Sequence, residues 1–258
     1  MQQRHIHTLL IANRSEIAAR IQLTAQQLGI RTVCVYTAED ATAPHLAYAD
    51  AIYPLPLSGA AGYLDQATLI AIAHEAGANA IHPGYGFLAE NSFFAQRVVD
   101  AGLIWVGPAS IVIAAIGDKA RAREQASQLG IPVVPGAAFN TQNAPAAEQY
   151  AALIGYPVLL KAALGGGGKG MRRVEEAATF STAWAEVTRI GKHLFGDSTV
   201  VVEKYITAPR HIEVQIVGDG QTTLHLFDRE CSVQRNNQKI IEEAPATNLS
   251  PELRSRLW

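Results

Sequence analysis

The chain has 258 residues, 48% apolar and 17% charged, with a net charge of −2, a composition that gives a sizeable core and one large or two modest domains. No cluster of lysines or arginines offers a footprint for nucleic acid, and Cys34 and Cys231, far apart and without a C-x-x-C, point to two reduced thiols instead of a disulfide framework or structural zinc. Apolar stretches break well short of the roughly 18 residues a membrane helix needs, and Met1-Gln2-Gln3 leads into a strand without a signal-peptide pattern, so a soluble cytoplasmic protein without a membrane partner is expected.

Thr8 to Ala12 read as a short buried strand. Glu16 to Leu28 carry apolar residues at helical spacing (Ile17, Ala18, Ile21, Leu28) with Gly29 as the stop. A strand at Thr32 to Tyr36 follows, then a helix at Gln66 to Ala76, a strand at Ala80 to His82, a helix at Ser92 to Asp100 and a strand at Ile104 to Val106. Strands alternating with helices predict βαβ units, hence a doubly wound parallel-sheet α/β domain over residues 1–117. Residues 118–131 read as a bridging helix, with Asp118 as N-cap, Leu129 near its end, and Gly130 and Pro132 as terminators.

Residues 132–258 read as an α+β domain. Val158 to Ala162 form a strand carrying Lys161, and Gly165 to Gly168 follow with Lys169, Gly170 and the extended Met171-Arg172-Arg173-Val174. Consecutive glycines let backbone N–H groups approach an anion closely, and the flanking lysines add charge. Gly165, Gly167 and Gly170 fit G-x-G-x-x-G, but the extended chain after them argues against a dinucleotide fingerprint, and Gly168-Lys169-Gly170 lacks the Ser or Thr of a P-loop. A glycine loop between two strands is left, and with no H-R-D or D-F-G triplet the protein-kinase version falls away. Beyond it a long helix is expected at Glu175 to Gly191 and strands at Thr199 to Glu203 and His211 to Val217.

Strict alternation in His211 to Val217 places His211, Glu213 and Gln215 on one strand face. Glu230 to Lys239 is polar enough that its composition alone predicts a solvated loop. Ser250-Pro251-Glu252 has the marks of a helix start, yet Trp258 follows after about two turns, so the sequence reads as ending inside a domain.

Taken in order, IANRSEIAARI, AIHPGYGFLAEN, IGDK, YPVLLKA, GGGGKGM, VEKYI, PRHIEVQI, ECSVQRNNQK and IIEEAPA resemble the biotin carboxylase component of biotin-dependent carboxylases, in the ATP-grasp superfamily. The resemblance implies a Rossmann-like N-terminal domain followed by an incomplete ATP-grasp domain. It implies ATP-phosphate contacts from Lys119 and Lys161, backbone donors at Gly167 and Gly168, and adenine recognition along Glu203, Lys204, Tyr205 and Ile206. His211 and Asn237 would lie at the ribose and phosphate side, and Lys239 would contact bicarbonate. The family reaction phosphorylates bicarbonate with ATP and Mg²⁺ (or Mn²⁺) and then carboxylates biotin on a separate carrier protein. A biotin carboxyl carrier protein and a carboxyltransferase are the implied partners, and a homodimer is an implied assembly. The HPGYGFLAEN segment reads first as a structural turn, although its place after a strand also suits a ligand.

Departures from the family pattern temper these expectations. Asn237 stands where the family usually has histidine, Asn236 replaces an arginine, and Ser15 replaces the glycine of the first strand-to-helix turn. A Cβ there is awkward if the turn needs positive φ. The E-M-N-x-R-x-Q-V-E-H segment that carries the family's catalytic and metal-binding acids does not occur, so no catalytic residue and no metal ligand is assigned, and Glu242 and Glu243 are no substitutes. Two expectations follow: the ATP-binding portion of a biotin carboxylase, or a truncated remnant that at most binds nucleotide or dimerises.

Overall fold

A computed structural model describes residues 5–117, 119–163, 170–235 and 238–258, with backbone only at 119–121 and 195. The chain divides into two compact units, Met1–Val133 and Val134–Trp258.

The first unit is built on β1 (Thr8–Ile11), β2 (Arg31–Tyr36), β3 (Ala51–Pro54), β4 (Ala80–His82) and β5 (Ile104–Trp105), in the spatial order β3-β2-β1-β4-β5. Every pairing is parallel. Helices α1 (Ser15–Gln27), α2 (Gly59–Leu64), α3 (Gln66–Glu75), α4 (Ser92–Asp100), α5 (Ser110–Gly117) and α6 (Lys119–Gln128) complete it. Side-chain alternation along the strands feeds two cores. Leu10, Val33, Val35 and Ile81 pack with Tyr63, Leu69 and Phe94, while Leu9, Ile11, Cys34 and Ala80 pack with Ala18 and Ala25 of α1 and with Leu46. A sheet buried on both faces requires nearly continuous apolar strands, as the fully buried TLLI of β1 shows. Caps set the helix starts: the Asp65 carboxylate accepts from the Thr68 N–H at 3.2 Å, and the Asn91 side-chain carbonyl accepts from the Phe94 N–H at 2.8 Å.

The second unit has a four-stranded antiparallel sheet in the order β6-β9-β7-β8, from β6 (Gly136–Phe139), β7 (Val158–Ala162), β8 (Met171–Val174) and β9 (Val200–Lys204). Helices α7 (Ala144–Ile154) and α8 (Phe180–Phe195) cover one face, where Val158, Leu160, Ala162, Val200 and Val202 meet Ala147, Ala151, Phe180, Trp184 and Val187. A second antiparallel sheet contains β10 (Ile212–Gly218), β11 (Thr223–Arg235) and β12 (Gln238–Glu243), and α9 (Pro251–Leu257) follows. Ser250 caps α9 by accepting from the Leu253 N–H at 3.1 Å, as its sequence predicts.

Two expectations need correction. The helix expected at Glu175 to Gly191 begins at Phe180, after a 3₁₀ turn at Ala177–Thr179, and runs to Phe195, where Gly196 at φ 72° ends it. Gly191 is no stop: a Cβ there would lie 2.7 Å from the Asp197 carbonyl oxygen, so glycine permits a close packing contact. The polar stretch Glu230 to Lys239 is no loop. Its described residues lie in β11 and β12, paired antiparallel from Glu230 with Glu243 to Arg235 with Gln238, and ion pairs from Arg229 to Glu213 and Glu242 and from Lys239 to Glu213 tie the three strands together.

Candidate functional site

Antiparallel pairing decides which side chains share the face of the four-stranded sheet that α7 and α8 leave open. Leu159 lies opposite Glu203, and Lys161 opposite Val201 and Met171. Gly136 and Ala138 of β6 flank Glu203 and Val201 on the same side. The result is a platform of small and apolar side chains that carries the ion pair of Lys161 Nζ with the Glu203 carboxylate at its centre and, at its rim, the Arg173 guanidinium, which pairs with Glu175 and lies 4.2 Å from the centre of the Tyr205 ring. An apolar, half-open surface with a charged locus suits a flat ring bearing an anionic tail.

The strands on either side of the glycine run, β7 and β8, are antiparallel neighbours. The Ala162 N–H donates to the Gly170 carbonyl at 2.9 Å, and the Ala163 N–H to the Thr199 carbonyl at 2.9 Å. The run therefore connects two anchored ends beside Lys161. Gly167, Gly168 and Asn237 lie outside the described residues, as does the side chain of Lys119, the first residue of α6.

Within Glu203 to Ile206, the Lys204 side chain turns to the opposite face of the strand. Its Nζ donates to the Gly155 and Tyr156 carbonyls at 2.8 and 2.9 Å. The Lys204 and Tyr205 N–H groups donate to the carbonyls of Pro135 and Pro157. Lys204 is thus a brace, and Ile206, 47% exposed, is the member of the segment most open to a ligand.

A second constellation lies on the three-stranded sheet. Glu213 of β10 faces Arg229 of β11. Its carboxylate accepts from both Arg229 and Lys239, and Arg229 also reaches Glu242. Glu213 is held below the usual carboxylate range, first by the hydrogen bond from Lys239, and Lys239 is pushed up by that same bond. The His211 ring presents Nε2 3.7 Å from Glu213, and Gln234 reaches its Nδ1 at 2.8 Å. Backbone alternation alone brings His211 and Glu213 together, whereas Lys239, Arg229 and Gln234 join them only through the register of β11 and β12, which spans positions far apart in the chain. Gln215, expected beside Glu213, does not join: the pairing shifts between Val214 and Ile216, and the Gln215 amide donates to the Ile216 carbonyl at 3.1 Å. Buried beneath, the Cys231 thiol is pushed up by burial and further by Glu213, so it stays protonated.

In the first unit, the HPGYGFLAEN segment borders a crevice of about 340 Å³ at the carboxyl ends of the neighbouring strands β1 and β4, lined by Asn13, Arg14, Glu16, Tyr85 and Phe87 among others. The buried Asn13 amide donates to the Pro83 and Tyr85 carbonyls at 2.7 and 2.8 Å. Gly84, at φ 66°, leaves room for that amide, since a Cβ would come within 2.7 Å of it. Arg14 pairs with Asp40 at 3.0 Å, and Glu16 accepts from the Tyr85 hydroxyl.

Two family models cover nearly the whole chain: "Biotin carboxylase, N-terminal domain" over residues 5–113 and "Carbamoyl-phosphate synthase L chain, ATP binding domain" over residues 118–258. The chain belongs to the biotin carboxylase family. It is 46% identical to the pyruvate carboxylase of Bacillus subtilis, over 100% of this chain and 23% of that protein. It is also 46% identical to the mitochondrial methylcrotonoyl-CoA carboxylase subunit alpha of Arabidopsis thaliana, over 98% of this chain and 35% of that one. Among solved structures, a biotin carboxylase–βγ-ATP complex from Campylobacter jejuni superposes with a TM-score of 0.88 at 42% identity, covering 98% of this chain and 57% of that one. The biotin carboxylase domain dimer of the Hydrogenobacter thermophilus 2-oxoglutarate carboxylase, with MgADP, ADP and bicarbonate, gives 0.87 at 40% identity, covering 98% and 56%. The chain thus spans less than two thirds of the length of each of these relatives.

The α/β architecture, a parallel-sheet N-terminal unit followed by antiparallel sheets with helices, is that of the biotin carboxylase ATP-grasp structures. Among the described residues no helix is long and apolar enough to cross a membrane.

Proposed function

We propose that this chain supplies the ATP-binding portion of a biotin carboxylase, whose reaction uses ATP and bicarbonate to carboxylate biotin on a carrier protein. The observation that carries this is Lys161, presented on the open sheet face beside the hairpin that spans the glycine run. In this reading Lys161 and Lys119 hold phosphates, Gly167 and Gly168 donate N–H groups to them, and Glu203 to Ile206 face the base. His211 with Asn237 borders the ribose, and Lys239 contacts bicarbonate. Phosphoryl transfer is mostly positioning and charge stabilisation, for which fixed ammonium groups and backbone donors suffice in kind. A biotin carboxyl carrier protein and a carboxyltransferase would complete the cycle in the cytoplasm, and the segment would work as part of a homodimer.

Magnesium finds no fit among the described residues. Glu213, Cys231 and Glu242 bring three donor atoms within 4.8 Å of one another. Arg229 bonds both carboxylates and Lys239 bonds Glu213, so cations of the chain already fill the place, and a thiol is a poor ligand for a hard ion.

Calorimetric titration with MgATP tests the reading. Replacing both Lys119 and Lys161 by alanine removes charge-assisted contacts and should weaken binding about 10- to 100-fold, and unchanged affinity overturns the assignment. The chain alone should show no biotin-dependent ATP cleavage, since it lacks the E-M-N-x-R-x-Q-V-E-H acids. Bicarbonate- and biotin-dependent ADP release above a Lys161→Ala control contradicts that.

A further inference from the structure

The open face of the four-stranded sheet poses an electrostatic problem for a ligand with several negative charges. Its described cations are already compensated. Arg173 pairs with Glu175 at 2.7 Å and lies over the Tyr205 ring, and Lys161 is bonded to Glu203. The second pair follows from the fold. Because Leu159 is the direct partner of Glu203, Lys161 stands diagonally across, two residues along and on the same face, within reach of a long side chain. Both side chains are partly withdrawn from water, 33% exposed for Lys161 and 23% for Glu203, so their attraction is less screened than that of a surface pair.

We infer that Glu203 is an internal counter-ion that the ligand's phosphate must replace: it occupies Lys161 in the free protein and raises the threshold for any polyanion to bind there. This rests on the reading that Lys161 holds phosphates. The exchange trades one carboxylate–ammonium contact for a phosphate–ammonium contact, with no covalent change. While the carboxylate stays close, it also repels the incoming anion. Removing the charge at Glu203 therefore strengthens phosphate binding, whereas a residue that merely positions Lys161 would weaken it when removed.

Inorganic tripolyphosphate, which has no base or sugar, isolates this effect from any contact Glu203 makes with a nucleobase. Calorimetric titration of the wild-type chain, Glu203→Gln, Lys161→Ala and the double variant, at low ionic strength, is the test. For Glu203→Gln, binding about threefold tighter than wild type is expected from the usual strength of such a pair. The gain should vanish in the Lys161→Ala background. Glu203→Asp, which keeps the charge but shortens its reach, should fall between wild type and Glu203→Gln, and it serves as the second variant if glutamine disturbs folding. Binding that is unchanged or weaker in both Glu203 variants overturns the counter-ion role. If Lys161→Ala leaves both MgATP and tripolyphosphate binding unchanged, the phosphate reading of the site fails first. If it weakens both while the Glu203 variants show no gain, the counter-ion role fails alone.

Discussion

Ser15 opens α1 at φ 55°, in the left-handed region that suits glycine. An L-residue there carries a steric cost of about 1–2 kcal/mol. Ser15→Gly removes that cost but gives the unfolded chain extra freedom worth about 0.4–1 kcal/mol. The net expectation is a gain of roughly 0.5–1 kcal/mol, which for a unit of this size raises the melting temperature by about 2–4 °C. Ser15→Ala keeps the Cβ and the strain, and the Ser15 hydroxyl has no hydrogen-bond partner among the described residues. It should stay within about 0.5 kcal/mol of wild type. Differential scanning calorimetry of the three proteins decides the matter. Equal melting temperatures for the glycine and alanine variants refute the strain argument, as does any loss of stability in Ser15→Gly.

His45 is buried with neither ring nitrogen hydrogen-bonded among the described residues, and burial holds it below its ordinary value against the opposing pull of Asp40. Burial also lowers His82, whose Nδ1 accepts from the Gly84 N–H at 3.0 Å. With folded values below the unfolded one of about 6.5, the unfolded chain binds more protons, so this stability is intact above about pH 6.5 and falls as pH drops toward the folded values. Thermal unfolding between pH 7.5 and 5 should therefore show a decline that flattens in His45→Gln, and an identical slope in the variant counts against the assignment. Lys204→Met leaves the Gly155 and Tyr156 carbonyls without their donor and should cost the second unit about 1–3 kcal/mol. Urea unfolding that shows no shift in midpoint excludes the bracing role.

The fold of the first unit was legible because parallel strands buried on both faces must be written as short apolar runs, and Thr8 to Ile11 and Arg31 to Tyr36 are. The small β3 and the six-residue α2 are not legible in the same way, since AIYP and GAAGYL carry too little periodic signal. In the second unit β6 escaped for a related reason: GAAF has no β-branched residue, and its small side chains make sense only beside Val201 and Glu203.

For the candidate site, local sequence was enough to place a lysine beside a glycine run between two strands, and to put His211 and Glu213 together, because each of these relations spans few residues and follows from backbone period. The pairings that give the site its electrostatics join positions far apart in the chain: Lys161 with Glu203, Glu213 with Arg229 and Lys239, and His211 with Gln234. Those depend on strand register. A bulge such as the one between Val214 and Ile216 changes which side chains meet without changing a single residue type, so they come into view only once the sheets are assembled.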